Sequence, residues 1–259
     1  MRIGIAGIAG RMGRVLAEEA AAVGELAGGT ERPEAADRAP PGLRLFPDMA
    51  ALAAAADVVL DFTHASAVAA HAAALAAAGT AWVLGTTGLT AEDEAVVAAA
   101  RRCAIVQAPN FSPGVNLMLA LAERMAAALP ADAYDAEILE MHHRQKVDAP
   151  SGTAVGLGRA VARGRGVDLG AAMESGRHGQ TGARKPGAIG FAALRGGQVV
   201  GEHTLLFAAA DEQIALTHRA FDRRAFAKGA IRAALWTEGR APGLYSMMDV
   251  LGMRSTVQI

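Results

Sequence analysis

Cysteine is almost absent from this chain: Cys103 is the only one in 259 residues. That excludes an intrachain disulfide framework and any metal site built from thiolates alone, and the plain reading of Cys103 is a buried thiol. An excess of charge is missing too. Twenty-five Lys and Arg face 26 Asp and Glu, a formal charge of -1. This argues against a general nucleic-acid binder, whose affinity rests on clustered basic side chains. Long apolar runs are also lacking. The stretches around Ala50–Leu60 and Ala65–Ala78 are interrupted by Asp57, Asp61 and His71, whereas a membrane span needs about 20 mostly apolar residues. The opening run from Met1 to Gly7 is too short for the core of a signal peptide. One thiol and no export signal give the cytoplasm as the expected address.

What the chain has in plenty is alanine, 63 of the 259 residues, within a hydrophobic fraction of 52%. That fraction supplies a core and rules out a disordered chain. Alanine is the best helix former but adds little burial per residue. The length suits one large domain or two ordinary ones.

The first half alternates strand-like and helix-like segments. Arg2–Ala6, Asp57–Phe62, Trp82–Leu84 and Ala104–Gln107 read as strands, with Glu25–Thr30 and Arg44–Phe46 as weaker ones. Arg11–Val23, Ala65–Ala78 and Ala91–Arg101 read as helices, and the proline-bearing Arg32–Gly42 as a loop. This alternation predicts parallel strands with crossover helices, a Rossmann-like doubly wound α/β sheet. After Asn110-Phe111-Ser112-Pro113-Gly114 the pattern changes. Asn116–Ala128 and Ser151–Arg163 read as helices, and Asp135–Met141 as a strand. The glycine-rich Gly170–Gly187 follows, and then strand candidates Ala188–Leu194, Gln198–Phe207 and Gln213–Arg219. Gly196-Gly197 predicts a hairpin between the first two of these. Successive strands predict a central α+β domain with a mixed sheet, and Ala225–Trp236 closes the chain as a helix.

Gly7-Ile8-Ala9-Gly10-Arg11-Met12-Gly13-Arg14 sits between the first strand and the first helix. Glycines permit the tight turn and let a pyrophosphate approach the main chain, where the helix start offers N–H groups and partial positive charge. Arg11 and Arg14 are candidates for further phosphate contacts. An acid about 20 residues on is expected to bind the adenosine ribose, and Glu31 stands there with Arg32 beside it. Glu31 favours NAD, while Arg32 suits either stacking on adenine or pairing with a 2′-phosphate, which would tolerate NADP. Together they suggest relaxed cofactor choice. Phe62-Thr63-His64, Gly85-Thr86-Thr87-Gly88 and Ala108-Pro109-Asn110-Phe111 each follow a predicted strand, so all should gather at one sheet edge. His64 reads as an ordinary loop histidine.

The densest polar stretch runs from Glu140 to Ala154. Its adjacent histidines invite a zinc reading, but no second His/Cys cluster with ligand spacing follows, and His178 and His203 stand apart. The stretch reads better as an anionic-substrate site. His142, His143, Arg144 and Lys146 concentrate cationic capacity, Ser151 is placed to cap the next helix, and Gly152 and Thr153 present amides to a carboxylate. A histidine suits proton transfer near neutral pH.

These motifs resemble the 4-hydroxy-tetrahydrodipicolinate reductase family, formerly called dihydrodipicolinate reductase. The matching stretches are Gly7–Arg14, Asp61-Phe62-Thr63, Gly85–Gly88, Asn110–Asn116, Glu140–Ala154, Gly187–Phe191, Gly201-Glu202-His203-Thr204 and Gly229–Trp236. They span the chain, and the His-His-Arg-x-Lys-x-Asp-x-Pro-Ser-Gly-Thr-Ala segment is highly specific.

The resemblance implies NADH- or NADPH-dependent reduction of 4-hydroxy-tetrahydrodipicolinate, a small cyclic dicarboxylate, with loss of water, in lysine and diaminopimelate biosynthesis. It implies His142 as a proton donor or acceptor and Lys146 as a proton donor, with His143 and the Gly152 and Thr153 amides on substrate carboxylates. Gly7, Ile8, Ala9, Gly10, Arg11, Met12, Glu31, Arg32, Gly85, Thr86, Thr87, Ala108, Pro109, Asn110 and Phe111 are implied as cofactor contacts. No metal, nucleic-acid or membrane partner is implied. The implied division is a nucleotide-binding domain over 1–112, completed by 223–259, and a substrate and oligomerisation domain over 113–222. In many members the latter's sheet builds a homotetramer, and a hinge closes the site. The pattern is departed from at Ala9, where many relatives have another glycine, and in the shorter loop Arg32–Gly42. Two other classes fit less well. A thiol-dependent dehydrogenase would need Cys103 at the ligand edge, and a dinucleotide sensor would not need His142 and Lys146.

Overall fold

The computed structural model describes residues 1–253, so the end of the expected 223–259 segment lies outside the described residues. In chain order the elements begin with β1 (Arg2–Ala6), α1 (Arg11–Val23), β2 (Glu25–Thr30), β3 (Leu45–Phe46), α2 (Met49–Ala55), β4 (Val58–Asp61) and α3 (Val68–Ala78). They continue with β5 (Ala81–Leu84), α4 (Ala91–Ala99), β6 (Ala104–Gln107), α5 (Pro113–Ala128), β7 (Asp135–His142), α6 (Gly152–Arg165), α7 (Leu169–Ala172) and β8 (Met173–Ser175). The last are β9 (Ile189–Arg195), β10 (Gly201–Ala208), β11 (Gln213–Ala220), α8 (Arg224–Trp236), β12 (Gly243–Tyr245) and α9 (Met247–Val250). The chain divides into two compact units: Met1–Pro113 with the chain from Arg223 onward, and Gly114–Asp222.

Among the described residues the first unit holds a seven-stranded parallel sheet in the order β12-β6-β5-β4-β1-β2-β3. Its strands are short and apolar because both faces are covered. Ile3, Ile5, Leu60, Val83 and Val106 pack on one side with α1 and α8. Val59, Trp82, Leu84 and Ile105 pack on the other with Leu52 and Leu75. Burying each such side chain contributes about 1.5–3 kcal/mol. The chain runs outward from β1 to β2 and β3, then returns to place β4 on β1's other side. The edge between β1 and β4 is therefore the switch point where ligands of open α/β sheets sit.

The second unit pairs β11-β10-β7-β9-β8. β7 is antiparallel to β10 and parallel to β9, so the sheet is mixed. α5 and α6 cover one face, burying Met118, Ala122, Leu157 and Val161 against Ile138, Phe191, Leu205 and Phe207. The other face is open and carries Leu139 and Leu194, 43% and 48% exposed.

The Gly196-Gly197 hairpin expected between β9 and β10 does not exist. β7 lies between those strands, and the Gly-Gly segment crosses its end instead. Gly196 N–H donates to His142 O (3.0 Å), and Gly197 O accepts from Arg144 N–H (3.3 Å). A hairpin signal reports a turn, and here the turn feeds a strand one position further away. Five elements, α2, α7, β8, β12 and α9, gave no sequence signal strong enough to read. α2 lies in an alanine-rich stretch where only Met49 and Leu52 mark an apolar face, and it is fixed by its Asp48 cap, which accepts from Ala51 N–H. α7, β8, β12 and α9 are only three or four residues long.

Candidate active site

The carboxyl ends of the parallel strands gather the first group. Gly7 takes a φ of +69°, open to glycine alone without strain. Its N–H and that of Ile8 both donate to Thr30 O, at 2.9 and 3.1 Å. α1 begins at Arg11 after Gly10, which has no side chain to cap it, so no side-chain oxygen competes for the first-turn amides. A Cβ on Gly13 would lie 2.2 Å from Gly7 O, which fixes how closely helix and loop pack.

Glu31, at the end of β2, accepts from the Ala9 N–H at 2.9 Å and from its neighbour Arg32 N–H at 2.9 Å. The acid therefore stands against the glycine loop, and Ala9 uses the position for a backbone bond that its methyl does not block. Arg14 bonds Ala9 O (3.1 Å) and Arg38 O (2.7 Å), so it braces the loop from behind. A cleft of about 910 Å³ opens here, lined by Gly7, Gly10, Glu31 and Arg32 on one side and by Thr63 and His71 on another.

The remaining loops lie along the same edge because the strands are parallel and in register. Gly85 N–H donates to Asp61 O (2.8 Å), and Ala108 N–H to Leu84 O (3.2 Å). Thr86 is buried and its hydroxyl has no partner among the described residues. Thr87 is exposed, as is Pro109. Asn110 Oδ1 accepts from Ser112 N–H at 2.8 Å. Phe111 is buried and meets Phe62 at 5.3 Å between ring centroids. Asp61, fully buried, bonds His71 Nδ1 (2.7 Å) and both the amide and hydroxyl of Thr63 (3.1 and 2.7 Å). Burial pushes its carboxyl up, but the His71 and Thr63 bonds outweigh that and hold it below the usual range. Cys103 is buried at the opposite, amino end of β6, and burial pushes its thiol up.

The second group sits where β7 leaves the mixed sheet. Glu140 and His142 are two residues apart on a strand, so they share its covered face, and His142 Nδ1 lies 2.6 Å from Glu140 Oε2. Arg195, beside His142 on β9, grips both Glu140 oxygens at 2.8 Å each. His203, beside Glu140 on β10, meets the His142 ring edge-on at 5.1 Å. Ser151 caps α6 as expected, its hydroxyl accepting from Ala154 N–H at 3.2 Å. It also reaches His203 Nε2 at 3.0 Å. Gly152 and Thr153 form the first turn of that helix. Lys146 Nζ lies 2.7 Å from Asp148 Oδ1. His143 Nδ1 is buried without a partner among the described residues.

Burial lowers the basicity of His142, and the Glu140 hydrogen bond only partly restores it. Burial and the neighbouring His142 bring His203 down to about 4. Glu140 is raised by burial but lowered further by Arg195 and His142. At neutral pH the cluster is thus a carboxylate, a guanidinium and two neutral imidazoles. His142 Nε2 faces away from Glu140, and Lys146 is close enough for its charge to act on the ring.

Glu140, Arg195 and His203 were not assigned a part from the sequence. The Glu-x-His spacing was readable as one strand face. The other two come from strands 55 and 63 residues beyond Glu140 and depend on a strand order the hairpin reading had wrong. Among the described residues no group of three His, Cys, Asp or Glu could hold a metal ion. No helix among them is long and apolar enough to cross a membrane.

A seven-stranded Rossmann-like unit with a glycine loop at its switch point, and a mixed-sheet unit bearing a buried acid–imidazole cluster, define the class of two-unit α/β oxidoreductases. The chain belongs to the dihydrodipicolinate reductase family: residues 1–111 match the model of that family's N-terminus, and residues 114–251 the model of its C-terminus. It is 69% identical over 255 residues to the 4-hydroxy-tetrahydrodipicolinate reductase of Granulibacter bethesdensis and 62% identical to that of Gluconacetobacter diazotrophicus, covering 98% of each chain in both cases. In fold it is similar to a dipicolinate-bound dihydrodipicolinate reductase from Paenisporosarcina, with a TM-score of 0.76 at 24% identity over 96% of this chain and 98% of that one.

Proposed function

We propose that the chain reduces 4-hydroxy-tetrahydrodipicolinate to tetrahydrodipicolinate with loss of water, oxidising NADH or NADPH, as a step of lysine and diaminopimelate biosynthesis. The observation that carries the reading is the Glu140–His142–Arg195 cluster beside Lys146 and the Ser151-capped start of α6. Family membership supports it independently.

The first unit, with the chain from Arg223 onward, is the nucleotide-binding part in this reading. Its fit to a dinucleotide rests on the uncapped helix start after Gly10, the Glu31 carboxylate set against the loop, and the unpartnered Thr86 hydroxyl. Gly7, Ile8, Ala9, Gly10, Arg11 and Met12 hold the pyrophosphate through backbone amides. Glu31 accepts from the ribose hydroxyls, and the exposed Arg32 guanidinium takes a 2′-phosphate, so both cofactors are used. Gly85, Thr86, Thr87 and Ala108 to Phe111 contact the nicotinamide end. When bound, the reduced nicotinamide supplies the hydride.

Gly114–Asp222 is the substrate-binding part. His143 and the Gly152 and Thr153 amides neutralise the two carboxylates, each charge-assisted bond contributing about 1.5–3 kcal/mol. Lys146 gives a proton as electrons move toward the ring nitrogen. His142, neutral with Nδ1–H on Glu140, exchanges its proton at Nε2. The balance is one substrate, one reduced cofactor and one proton, giving product, oxidised cofactor and water.

The open sheet face with Leu139 and Leu194 is the surface on which copies of the chain assemble into a homotetramer. We place the step in the cytoplasm, in keeping with a chain bearing a single thiol. The test is oxidation of each reduced cofactor with enzymatically generated substrate. Substrate-dependent oxidation is expected, and a chain that binds cofactor yet never consumes it would overturn the reading.

A further inference from the structure

Glu140 exchanges no proton with the substrate in the reading above, yet its carboxylate is 1% exposed and saturated with donors. Oε2 faces His142 Nδ1 at 2.6 Å and accepts from Arg195 Nη1 at 2.8 Å. Oε1 accepts from Ser151 N–H at 3.1 Å and Arg195 Nη2 at 2.8 Å. Three of these donors have no choice: a backbone N–H and two guanidinium N–H groups only donate. They hold Glu140 ionised, and an ionised carboxylate 2.6 Å from Nδ1 draws the imidazole proton to that nitrogen. Arg195 is itself fixed by Leu194 O and Asp148 O, both at 2.6 Å. Asp148 in turn holds Lys146. One guanidinium thus ties the carboxylate behind His142 to the segment that carries Lys146.

We propose that Glu140, clamped by Arg195, is a positioning residue that holds His142 as its Nδ1–H tautomer, leaving Nε2 the one nitrogen able to take and return the substrate's proton. The proposal rests on the reductase reading of this site. The groups facing His142 are Glu140 from its own strand, Arg195 from β9, His203 from β10, and Lys146 from the following loop. The carboxylate raises the imidazole's basicity, the two cations lower it, and His203 is neutral.

Glu140→Gln is the discriminating change. Its volume is the same, but a carboxamide has acceptors on one side only. Turned either way, its NH2 confronts donors, Arg195 with either Ser151 or His142. The relief available is for His142 to move its proton to Nε2 and accept at Nδ1. Heteronuclear NMR of the imidazole nitrogens in unliganded protein should show His142 as Nδ1–H in the wild type and Nε2–H in Glu140→Gln. Turnover should fall about 100-fold or more, the range of a misplaced general acid–base, with the KM for reduced cofactor within about twofold of wild type. Arg195→Gln keeps the carboxylate and removes a cation, so the acid limb of the kcat–pH profile should move to higher pH. Retention of the Nδ1–H tautomer in Glu140→Gln, or turnover within about threefold of wild type, overturns the proposal. If Glu140→Gln does not fold, an unmoved acid limb and unchanged kcat in Arg195→Gln overturn it. The tautomer measurement needs no turnover, so a wild type that shows Nδ1–H but reduces nothing refutes the reductase reading instead.

Discussion

Lys146 and Glu31 divide the work of a residue-level test, because the proposed function gives one to the chemistry and the other to cofactor recognition. Lys146 touches Asp148 and lies exposed enough to meet a ligand. Lys146→Ala should lower turnover by about 100-fold or more while leaving the affinity for NADH within a few fold. Glu31 instead stands against the Ala9 amide at the cleft that Gly7 and Gly10 line. Glu31→Ala should raise the KM for NADH by about tenfold, the loss of a charge-assisted hydrogen bond, with a smaller change for NADPH. Steady-state kinetics with both cofactors checks the pair. His203 supplies a stability test. Its folded-state basicity is lowered from 6.5 to about 4 because the buried ring resists charging. The unfolded chain therefore binds the proton first as pH drops. Stability is full above about 6.5 and is lost progressively toward about 4. Urea titrations across that range should show a shallower slope for His203→Gln than for the wild type.

At the scale of elements, the turn between β1 and α1 is the piece most exposed to a single methyl group. Gly13→Ala would bring a Cβ within 2.2 Å of Gly7 O, a backbone atom that cannot step aside alone. We expect a cost of about 1–3 kcal/mol, a melting-temperature drop of several degrees, and weakened NADH binding, checked by calorimetry with and without cofactor. Sequence made this region legible because its signals are local: an apolar strand, a glycine turn, a helix, and an acid at the next strand's end. Ser151 as the α6 cap was legible for the same reason. The buried cluster was half legible. His142 and Lys146 lie in one stretch of chain, but Arg195 and His203 reach it only through pairing of β9 and β10 on opposite sides of β7. The Gly196-Gly197 signal was true as a turn and wrong as a hairpin, since glycine pairs report local bending and not which strand comes next. α2 was hidden by alanine, which leaves only Met49 and Leu52 to mark a face.

For the whole molecule, each unit covers its own core, and the second leaves one sheet face uncovered. Leu139 and Leu194 sit on that face beside Arg177 and Arg184, which grip Glu137 at its edge. An apolar sheet face rimmed by charge suits assembly with copies of itself. Leu194→Lys should break a tetramer into smaller species in sedimentation, with the far-ultraviolet circular dichroism unchanged. A wild type that sediments as a monomer would remove the assembly from the proposal without touching the site. The division of labour between the units matters most. The first has a glycine turn, an acid and a cleft, and the acid–imidazole pair it holds, Asp61 with His71, lacks the guanidinium and the neighbouring lysine of the polar cluster. The second has the cluster and no dinucleotide loop. The most direct test is Lys146→Ala measured twice, once for substrate-dependent oxidation of NADH and once for NADH binding by fluorescence. Oxidation lost with binding intact is the predicted result, and equal loss of both would contradict the assignment of chemistry to the second unit.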